Sequence, residues 1–108
     1  MRFSTRYGRF SISNAPGHPQ MANCYGFFVP AKLRGQGMEN ALLAQQEKYL
    51  VGIGFDYAVC TVRSDNTAQR QVLQTAGWRM LASFNDSKSG NSVELWGWTV
   101  KRREEDLP

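Results

Sequence analysis

The sequence has 108 residues, of which 42% are hydrophobic and 12% aromatic, and this composition is typical of one globular domain with a single core. No stretch approaches the ~20 consecutive apolar residues of a membrane-spanning helix, and residues 1–6 lack the apolar segment of a signal peptide, so a cytoplasmic protein is expected. Cys24 and Cys60 lie in apolar segments and are expected to be reduced thiols. The net charge of +4 favours a polyanionic ligand but does not distinguish a coenzyme from a nucleic acid.

The first third of the chain predicts two strands joined by a loop. Residues 2–13 alternate bulky and polar side chains, which predicts one extended strand with a break at Gly8. Residues 14–20 are rich in turn-forming residues and predict a loop, which contains His18, the only histidine. The nearly continuous apolar run of residues 23–29 predicts a strand in the centre of a sheet.

Two helices and three strands are predicted for the rest of the chain. Residues 38–51 place apolar side chains at helical spacing, and Gly52-Ile53-Gly54 ends this helix. Residues 57–62 predict a buried strand, which is the expected parallel partner of the central strand. A second helix follows, which Asp65 or Asn66 caps, and its inner face is expected to carry Ala68, Val72 and Ala76. The last two predicted strands span residues 78–84 and 92–100.

These elements, in the order β-β-α-β-α-β-β, predict a mixed α/β domain with a central sheet of about five strands and two main helices. The domain is expected to span residues 1–100. Residues 101–108 carry basic and acidic side chains that nearly cancel, and a solvated charged tail is expected there. Trp96 and Trp98 share one face of the last strand and are expected in the core or in a dimer surface.

The loop that joins the central strand to the first helix predicts a phosphate site. Gly35 and Gly37 let the backbone turn sharply, and the helix start directs several unpaired N–H groups toward one point where an anion can bind. Arg34 adds a fixed positive charge. The loop is neither a dinucleotide fingerprint, because Asn40 replaces the third glycine, nor a P-loop, because Met38-Glu39 follows the second glycine.

The residues around this loop resemble the coenzyme A loop of the GNAT N-acetyltransferase family, in which Gln/Arg-x-x-Gly-x-Gly/Ala follows a strand that carries Val-x-Pro. Here Phe28-x-Pro30 corresponds to the strand end and Arg34-x-x-Gly37-x-Glu39 to the loop. Asn66 and Gly77-Trp78 correspond to a second family motif, in which a helix that starts at an Asn ends in Gly-Phe, with Trp78 in place of the Phe. The resemblance covers residues 23–100, and the chain looks like a short member that lacks most of the usual N-terminal region, a kind familiar from phages and mobile elements.

The resemblance implies an N-acetyltransferase that uses acetyl-CoA, acetylates a primary amine of a small molecule or protein, and needs no metal. The pyrophosphate would lie on the N–H groups of residues 35–39, and the pantetheine arm would pair with the strand edge at residues 27–29. A backbone N–H of Phe28 or Val29 would polarise the thioester carbonyl. The implied cofactor-binding residues are Phe27, Phe28, Val29, Arg34, Gly35, Gln36, Gly37, Met38, Glu39 and Asn66.

Two positions depart from the family pattern. Glu39 replaces a small residue, and its carboxylate would compete with a pyrophosphate for the same N–H groups. Leu73 stands where the family usually has a tyrosine that protonates the leaving thiolate. The candidates to replace that tyrosine are Tyr25, Tyr49 and Cys60. His18, in its loop before the central strand, is the candidate general base.

Other functions stay open from the sequence. A GNAT-like domain that catalyses weakly could act by binding coenzyme A or a protein partner, and Leu73 and Glu39 favour that alternative. The positive charge would also suit a nucleic-acid-binding module, but the chain has no recognised base-reading motif, so nucleic acid is not the expected partner. A homodimer is a further prediction, because the tryptophans and an end strand offer a surface.

Overall fold

The structure is a computed structural model that describes residues 1–101, so the predicted tail lies outside the described residues apart from Lys101. These residues form one six-stranded sheet and two α-helices. The strands are β1 (Arg2–Thr5), β2 (Gly8–Ala15), β3 (His18–Phe28), β4 (Tyr57–Arg63), β5 (Arg79–Asn85) and β6 (Ser92–Thr99). The helices are α1 (Met38–Ile53) and α2 (Thr67–Thr75), and a short 3-10 turn, Ala31–Leu33, lies between β3 and α1.

The strands lie across the sheet in the order β1-β2-β3-β4-β6-β5. β3 and β4 run parallel, and each other pair of neighbouring strands within residues 1–101 runs antiparallel. This arrangement confirms the predicted mixed α/β fold, in which one helix crosses between the two parallel strands. No helix within the described residues is long and apolar enough to span a membrane.

The first predicted strand is a hairpin of two strands in the structure, which is why the sheet has six strands and not about five. The chain reverses at Arg6 and Tyr7. Thr5 stabilises this turn, because its hydroxyl accepts a hydrogen bond from the N–H of Tyr7 and donates one to the carbonyl of Gly8. A polar residue beside the turn, and not the glycine alone, therefore sets where the strand breaks.

The loop predicted over residues 14–20 is much shorter in the structure. It consists of the two-residue turn Pro16-Gly17, in which the glycine has a positive φ of 79°. The side-chain amide of Asn14 donates to the carbonyl of Pro19 at 2.7 Å and closes the turn. Because the turn is so tight, His18 is the first residue of β3 and not a loop residue.

Both helices pack against one face of the sheet. From α1, Tyr49 stacks on Phe3 of β1 with ring centroids 4.4 Å apart. From α2, Arg70 donates to Glu94 of β6 at 2.8 Å. The largest fully buried side chains of the described core are Phe10, Leu42, Leu50 and Leu73.

The inner face of α2 differs in part from the prediction. Leu73 is 1% exposed and is the one buried residue of α2, whereas Ala68 is exposed. Val72 and Ala76 pack against the core as predicted. The helix is therefore rotated so that a large side chain, and not a stripe of small ones, faces the sheet.

The tryptophans belong to the core. Trp96 and Trp98 are both buried, so the prediction of a core position is confirmed and they offer no dimer surface. Trp98 stacks on Trp78 at 5.7 Å between ring centroids, and the indole N–H of Trp78 donates to a carboxylate oxygen of Glu47 at 2.9 Å. This bond fixes α1 to the chain segment that follows α2.

Candidate functional site

The two parallel strands in the middle of the sheet separate along their length. β3 and β4 pair where Met21–Asn23 face Tyr57–Val59. Beyond that point β3 continues to Phe28 along β2, and β4 continues to Arg63 along β6, without pairing to each other. A cleft therefore opens between neighbouring parallel strands at their carboxyl ends, which is where ligands bind in open α/β sheets.

A β-bulge in β3 accompanies the separation. The ladder between β2 and β3 pairs Ser11 with Tyr25 and Arg9 with Phe28, so two residues of β3 oppose one residue of β2. Gly26, within this bulge, has a φ of 65°, a value that favours glycine. Because a bulge bends its strand and increases the local twist, it directs the end of β3 away from β4.

The cleft contains two adjoining cavities. The inner cavity, of about 270 Å³, lies at the point where the strands separate. The outer cavity, of about 330 Å³, lies between the end of β3 and the start of α2. Phe27, Asn66 and Gln69 line both cavities, so the two are continuous.

The side chains that line the cavities divide into an inner and an outer set. The inner cavity is lined by Cys24, Tyr25, Gly26, Phe27, Leu43, Gln46, Cys60, Thr61, Val62, Arg63, Asn66, Gln69 and Leu73. The outer cavity is lined by Phe27, Phe28, Val29, Arg34, Glu39, Asn66, Ala68 and Gln69. Most of the residues predicted for cofactor binding belong to the outer set, while the inner set contains residues that sequence reasoning did not select.

The glycine loop lies beside the outer cavity and presents free N–H groups. Gly35 and Gly37 have φ values of 76° and 79°, and the second glycine is the N-cap of α1. Within residues 1–101, no backbone or side-chain acceptor pairs with the N–H groups of Gly37, Met38 or Glu39. The start of a 16-residue helix therefore offers unpaired donors with the positive end of the helix dipole behind them.

Arg34 is held at the mouth of the outer cavity by two contacts. Its Nε donates to the carbonyl oxygen of Val29 at 2.9 Å, and its guanidinium lies 5.5 Å from the ring centroid of Phe28. The side chain is exposed, and neither ion pair found within the described residues involves it. Its remaining N–H groups are thus available to an anion at the helix start.

Glu39 places a negative charge in the same cavity. It lies in the first turn of α1, lines the outer cavity with Arg34, and is partly buried. A carboxylate at this position stabilises the helix through the dipole, and it also repels an anion that approaches the same N–H groups.

Asn66 caps α2 and faces the cleft at the same time. Its side-chain oxygen accepts the N–H of Gln69 at 3.2 Å, as predicted for a helix cap. The cap uses the carbonyl oxygen, and no acceptor within residues 1–101 pairs with the NH₂ group of Asn66, which can therefore donate to a ligand.

Phe28 and Val29 lie at the loop end of the cleft. Phe28 is the last residue of β3, and both residues line the outer cavity beside Arg34. Cys24, at the inner end, is four strand residues away, which is about 13 Å at the usual rise of a strand. The two residues thus lie near the glycine loop and away from the inner end of the cleft.

Of the three candidates to protonate the leaving thiolate, two line the cleft and one does not. Leu73 is buried and lines the inner cavity, so the position that the resemblance assigns to a tyrosine does face the cleft. Tyr25 and Cys60 line the inner cavity as well. Tyr49 stacks on Phe3 on the other side of α1 and does not reach the cleft.

The two thiols at the apex are poorly acidic. Burial raises the pKa of Cys60 to about 12, and the nearby Cys24 adds to this shift. Burial also raises the pKa of Cys24 to about 12, although a hydrogen bond with Gln46 acts in the opposite direction. Because an ordinary thiol ionises near pH 8.5, a proton transfer from Cys60 to a departing thiolate would be uphill.

His18 lies away from the cleft. It is the first residue of β3 and is exposed beside the Pro16-Gly17 turn. Seven strand residues, about 23 Å, separate it from Tyr25 at the inner cavity. The expectation that this histidine borders the site depended on a longer loop, and the tight turn removes that possibility.

Comparisons with known proteins identify the fold. No protein-family model and no curated protein matches the chain. Among solved structures, the ribosomal-protein-S18-alanine N-acetyltransferase from Escherichia coli matches 100% of this chain with a TM-score of 0.76 and 16% identity. The acetyltransferase of the GNAT family from Streptococcus pneumoniae matches 86% of it with a TM-score of 0.72 and 13% identity. This protein has the GNAT fold.

A third match with the GNAT fold carries a ligand. The structure of yncA from Salmonella typhimurium, solved with its cofactor acetyl-CoA, matches 89% of this chain with a TM-score of 0.76 and 14% identity. The chain spans 74%, 57% and 59% of the length of the three matched proteins, in the order given. At these identities the likeness establishes the fold, while the acceptor must be inferred from the site.

Proposed function

We propose that the protein is an acetyl-CoA-dependent N-acetyltransferase that transfers an acetyl group to a primary amine of a small molecule or a protein. The observation that carries the proposal is the cleft between β3 and β4, which opens beside unpaired N–H groups at the start of α1. A protein of the same fold, yncA, contains acetyl-CoA in its structure. The residues of this cleft fit the same coenzyme at both ends.

The outer cavity suits the diphosphate of the coenzyme. The N–H groups of Gly37, Met38 and Glu39 would donate to its oxygens, and Arg34 would add a positive charge. Asn66 lines the same cavity, and its NH₂ group would donate to the bound coenzyme as well. Gly35 and Gln36 complete the loop that gives these N–H groups their direction.

The inner cavity suits the pantetheine arm, which would lie along the edge of β3 from Phe28 toward the bulge. When bound, acetyl-CoA supplies an acetyl group activated as a thioester. Phe28 and Val29 line the outer cavity and would lie beside the diphosphate, so we assign the polarisation of the thioester carbonyl, expected from their backbone N–H groups, to a backbone N–H of Gly26 or Phe27 in the bulge. Holding the acceptor amine and the thioester in one cleft would contribute several kcal/mol through proximity.

Tyr25 is the proposed proton donor to the leaving thiolate, because it lines the inner cavity and carries an ionisable hydroxyl. Replacing Tyr25 by Phe is expected to lower kcat by about 10²-fold without changing the KM for acetyl-CoA. Tyr49→Phe is the matched control, since that tyrosine lies outside the cleft. Equal kcat values for the Tyr25→Phe variant and the wild type would exclude this role and leave the thiolate to depart unassisted.

Calorimetric titration with coenzyme A tests the proposal. Gly37 and Gly17 have the same φ of 79°, and a side chain at either position would meet no neighbouring atom within 4 Å. Asp introduced at each glycine therefore imposes similar backbone strain, but only Gly37→Asp places a carboxylate beside the helix start. We expect micromolar binding by the wild type and by Gly17→Asp, and at least tenfold weaker binding by Gly37→Asp. Equal binding by the two variants would count against the phosphate site.

A second candidate function is protein binding, and the exposed strand β5 favours it. All seven residues of β5 are exposed, and the strand forms one edge of the sheet. Met80, Leu81 and Phe84 are 51%, 49% and 53% exposed. An apolar sheet edge is a common site of strand pairing between chains, so a homodimer would form here and not through the tryptophans.

Sedimentation experiments test this second candidate. A dimer that Phe84→Glu converts to a monomer, with coenzyme A affinity unchanged, would place the interface at β5. If the wild-type protein stayed monomeric up to high micromolar concentration, β5 would not be a homodimer interface. Coenzyme A binding without release of free thiol, across a panel of amine acceptors, would favour a binding module over an enzyme.

A further inference from the structure

Gln46 is a buried polar residue that the proposed phosphate site does not use. It lies in the middle of α1, is 3% exposed, and lines the inner cavity. The same helix buries Leu42, Leu43 and Leu50 around it. A leucine would fill this position without the cost of removing an amide from water, so the amide needs a polar partner.

The protein satisfies only part of the hydrogen-bonding capacity of the Gln46 amide. The side chain of Gln46 lies close enough to Cys24 to lower the pKa of the thiol by hydrogen bonding, against the larger effect of burial. A primary amide has two N–H donors and two acceptor lone pairs. Within residues 1–101 the Gln46 side chain forms no other hydrogen bond, so most of its hydrogen-bonding capacity is left for a ligand in the inner cavity that it lines.

The polar side chains of the inner cavity differ in exposure. Gln46 is buried, whereas Gln69 is partly buried and Tyr25, Thr61, Arg63 and Asn66 are exposed. A chain that enters this cavity therefore meets Gln46 as its one buried amide side chain, in a wall that also contains the apolar Leu43 and Leu73. The ligand group that satisfies such a side chain is a secondary amide, since it has one N–H donor and one carbonyl acceptor.

We propose that Gln46 binds an amide group of the pantetheine arm of coenzyme A on the floor of the inner cavity. The inference rests on the proposed function, because it takes the coenzyme as the ligand of the cleft. The Gln46 contact comes from helix α1, and it is separate from the contact that the edge of strand β3 would make with the same arm. Gln46 is thus a binding residue that selects an amide-bearing arm over an apolar chain of similar length.

Two ligands and three variants test the assignment by affinity alone. Coenzyme A contains the arm, and adenosine 3′,5′-bisphosphate contains the nucleotide half without it. Gln46→Leu, and Gln46→Met as an unbranched second variant, are expected to weaken coenzyme A binding by about tenfold, the effect of one hydrogen bond. Binding of the bisphosphate should not change. Gln45→Leu is the matched control, because that neighbouring glutamine lines a separate pocket on the outer side of α1.

Four other outcomes would contradict these assignments, and the two ligands distinguish them. Unchanged coenzyme A binding by both Gln46 variants would overturn the role of Gln46. If the Gln46 variants bound both ligands more weakly by the same factor and also melted at a lower temperature, Gln46 would act through the stability of the fold. That result would also overturn its role in binding the arm. If the wild type bound the bisphosphate as tightly as coenzyme A, the arm would not occupy the cleft, although the phosphate site would stand. If the wild type bound neither ligand, the proposed function itself would fail.

Discussion

Asn23 and Val59 are the last residues that β3 and β4 hold in register, and the cleft begins at the residues that follow them. On the β3 side the strand continues into the bulge at Gly26, and on the β4 side it continues to Arg63 along β6. The cleft is therefore a consequence of backbone geometry. Two strands that would otherwise pair are drawn apart, because each stays paired to its outer neighbour.

Replacing Gly26 by Ala tests the link between the bulge and the cleft. The added methyl group has room, since its nearest neighbour would be Ser11 at 3.6 Å, but the φ of 65° is unfavourable for any residue with a Cβ. We expect a loss of about 1 kcal/mol in the free energy of unfolding and at least threefold weaker binding of coenzyme A. Denaturant unfolding and calorimetry measure the two effects.

Gly90→Ala is the control for this experiment. It imposes similar strain, at a φ of 76°, in the loop between β5 and β6, away from the cavities. The stability of this variant should fall without a change in affinity. If Gly26→Ala likewise changed stability alone, the bulge would not shape the binding site.

Glu39→Gln is expected to strengthen coenzyme A binding. The carboxylate shares the outer cavity with Arg34 and lies beside the N–H groups of the helix start, so it repels a diphosphate there. Removing the charge should raise affinity about three- to tenfold at low salt, and the gain should shrink as ionic strength increases. Titrations at two salt concentrations measure this. A weaker affinity for Glu39→Gln would mean that the carboxylate orients the loop and does not oppose the ligand.

Glu94 connects α2 to the sheet and predicts a dependence of stability on pH. The Arg70 guanidinium, at 2.8 Å, lowers the pKa of Glu94 below its usual value of 4.5, and the indole N–H of Trp96 adds a second hydrogen bond at 3.0 Å. A carboxylate with a lowered pKa stabilises the fold above its unfolded-state pKa, and this contribution is lost as the pH falls through the folded-state pKa.

Unfolding of Glu94→Gln at two pH values measures this contribution. The variant should be less stable than the wild type at pH 7, and the difference between them should narrow below pH 4.5. Asp65→Asn is a suitable control, because the ion pair of Asp65 with Arg63 is exposed and should matter little. A difference that stayed constant with pH would assign the effect to packing and not to charge.

Gly97→Ala tests the packing on the sheet face opposite the helices. A Cβ at Gly97 would collide with the side chains of Tyr57 and Leu81, which lie across it. Both would have to move, so we expect a loss of about 1–3 kcal/mol in the free energy of unfolding. Gly52→Ala in α1 meets no neighbouring atom and should instead stabilise the protein by about 0.5–1 kcal/mol. A neutral Gly97→Ala would show that this face is loosely packed.

The sequence was most informative where a local signal determines structure. The helix start at Met38 and the cap at Asn66 follow from residues within one turn, and both were predicted. The parallel pairing of the two central strands also follows, because a helix of ordinary length joins them. The position of Trp96 in the core follows from alternation along the last strand.

The structural features that could not be predicted from the sequence depend on contacts between segments that are distant in the chain. The bulge at Gly26 exists only relative to β2, although a glycine inside an apolar run is a signal that could have indicated it. The displacement of His18 from the site depends on a tight turn that composition does not distinguish from a loop. Gln46 lies in the polar run Gln45 to Lys48, which predicts the solvent-facing side of the helix, whereas its burial depends on how α1 lies on the sheet.

Backbone amide resonances recorded during a coenzyme A titration report on the proposed donor N–H groups themselves. We expect the amide resonances of Gly37, Met38 and Glu39 to shift strongly, together with those of Gly26 and Phe27 in the bulge, while those of β5 stay unchanged. Saturation with coenzyme A that leaves these five resonances in place would contradict a coenzyme held between the helix start and the separated strands.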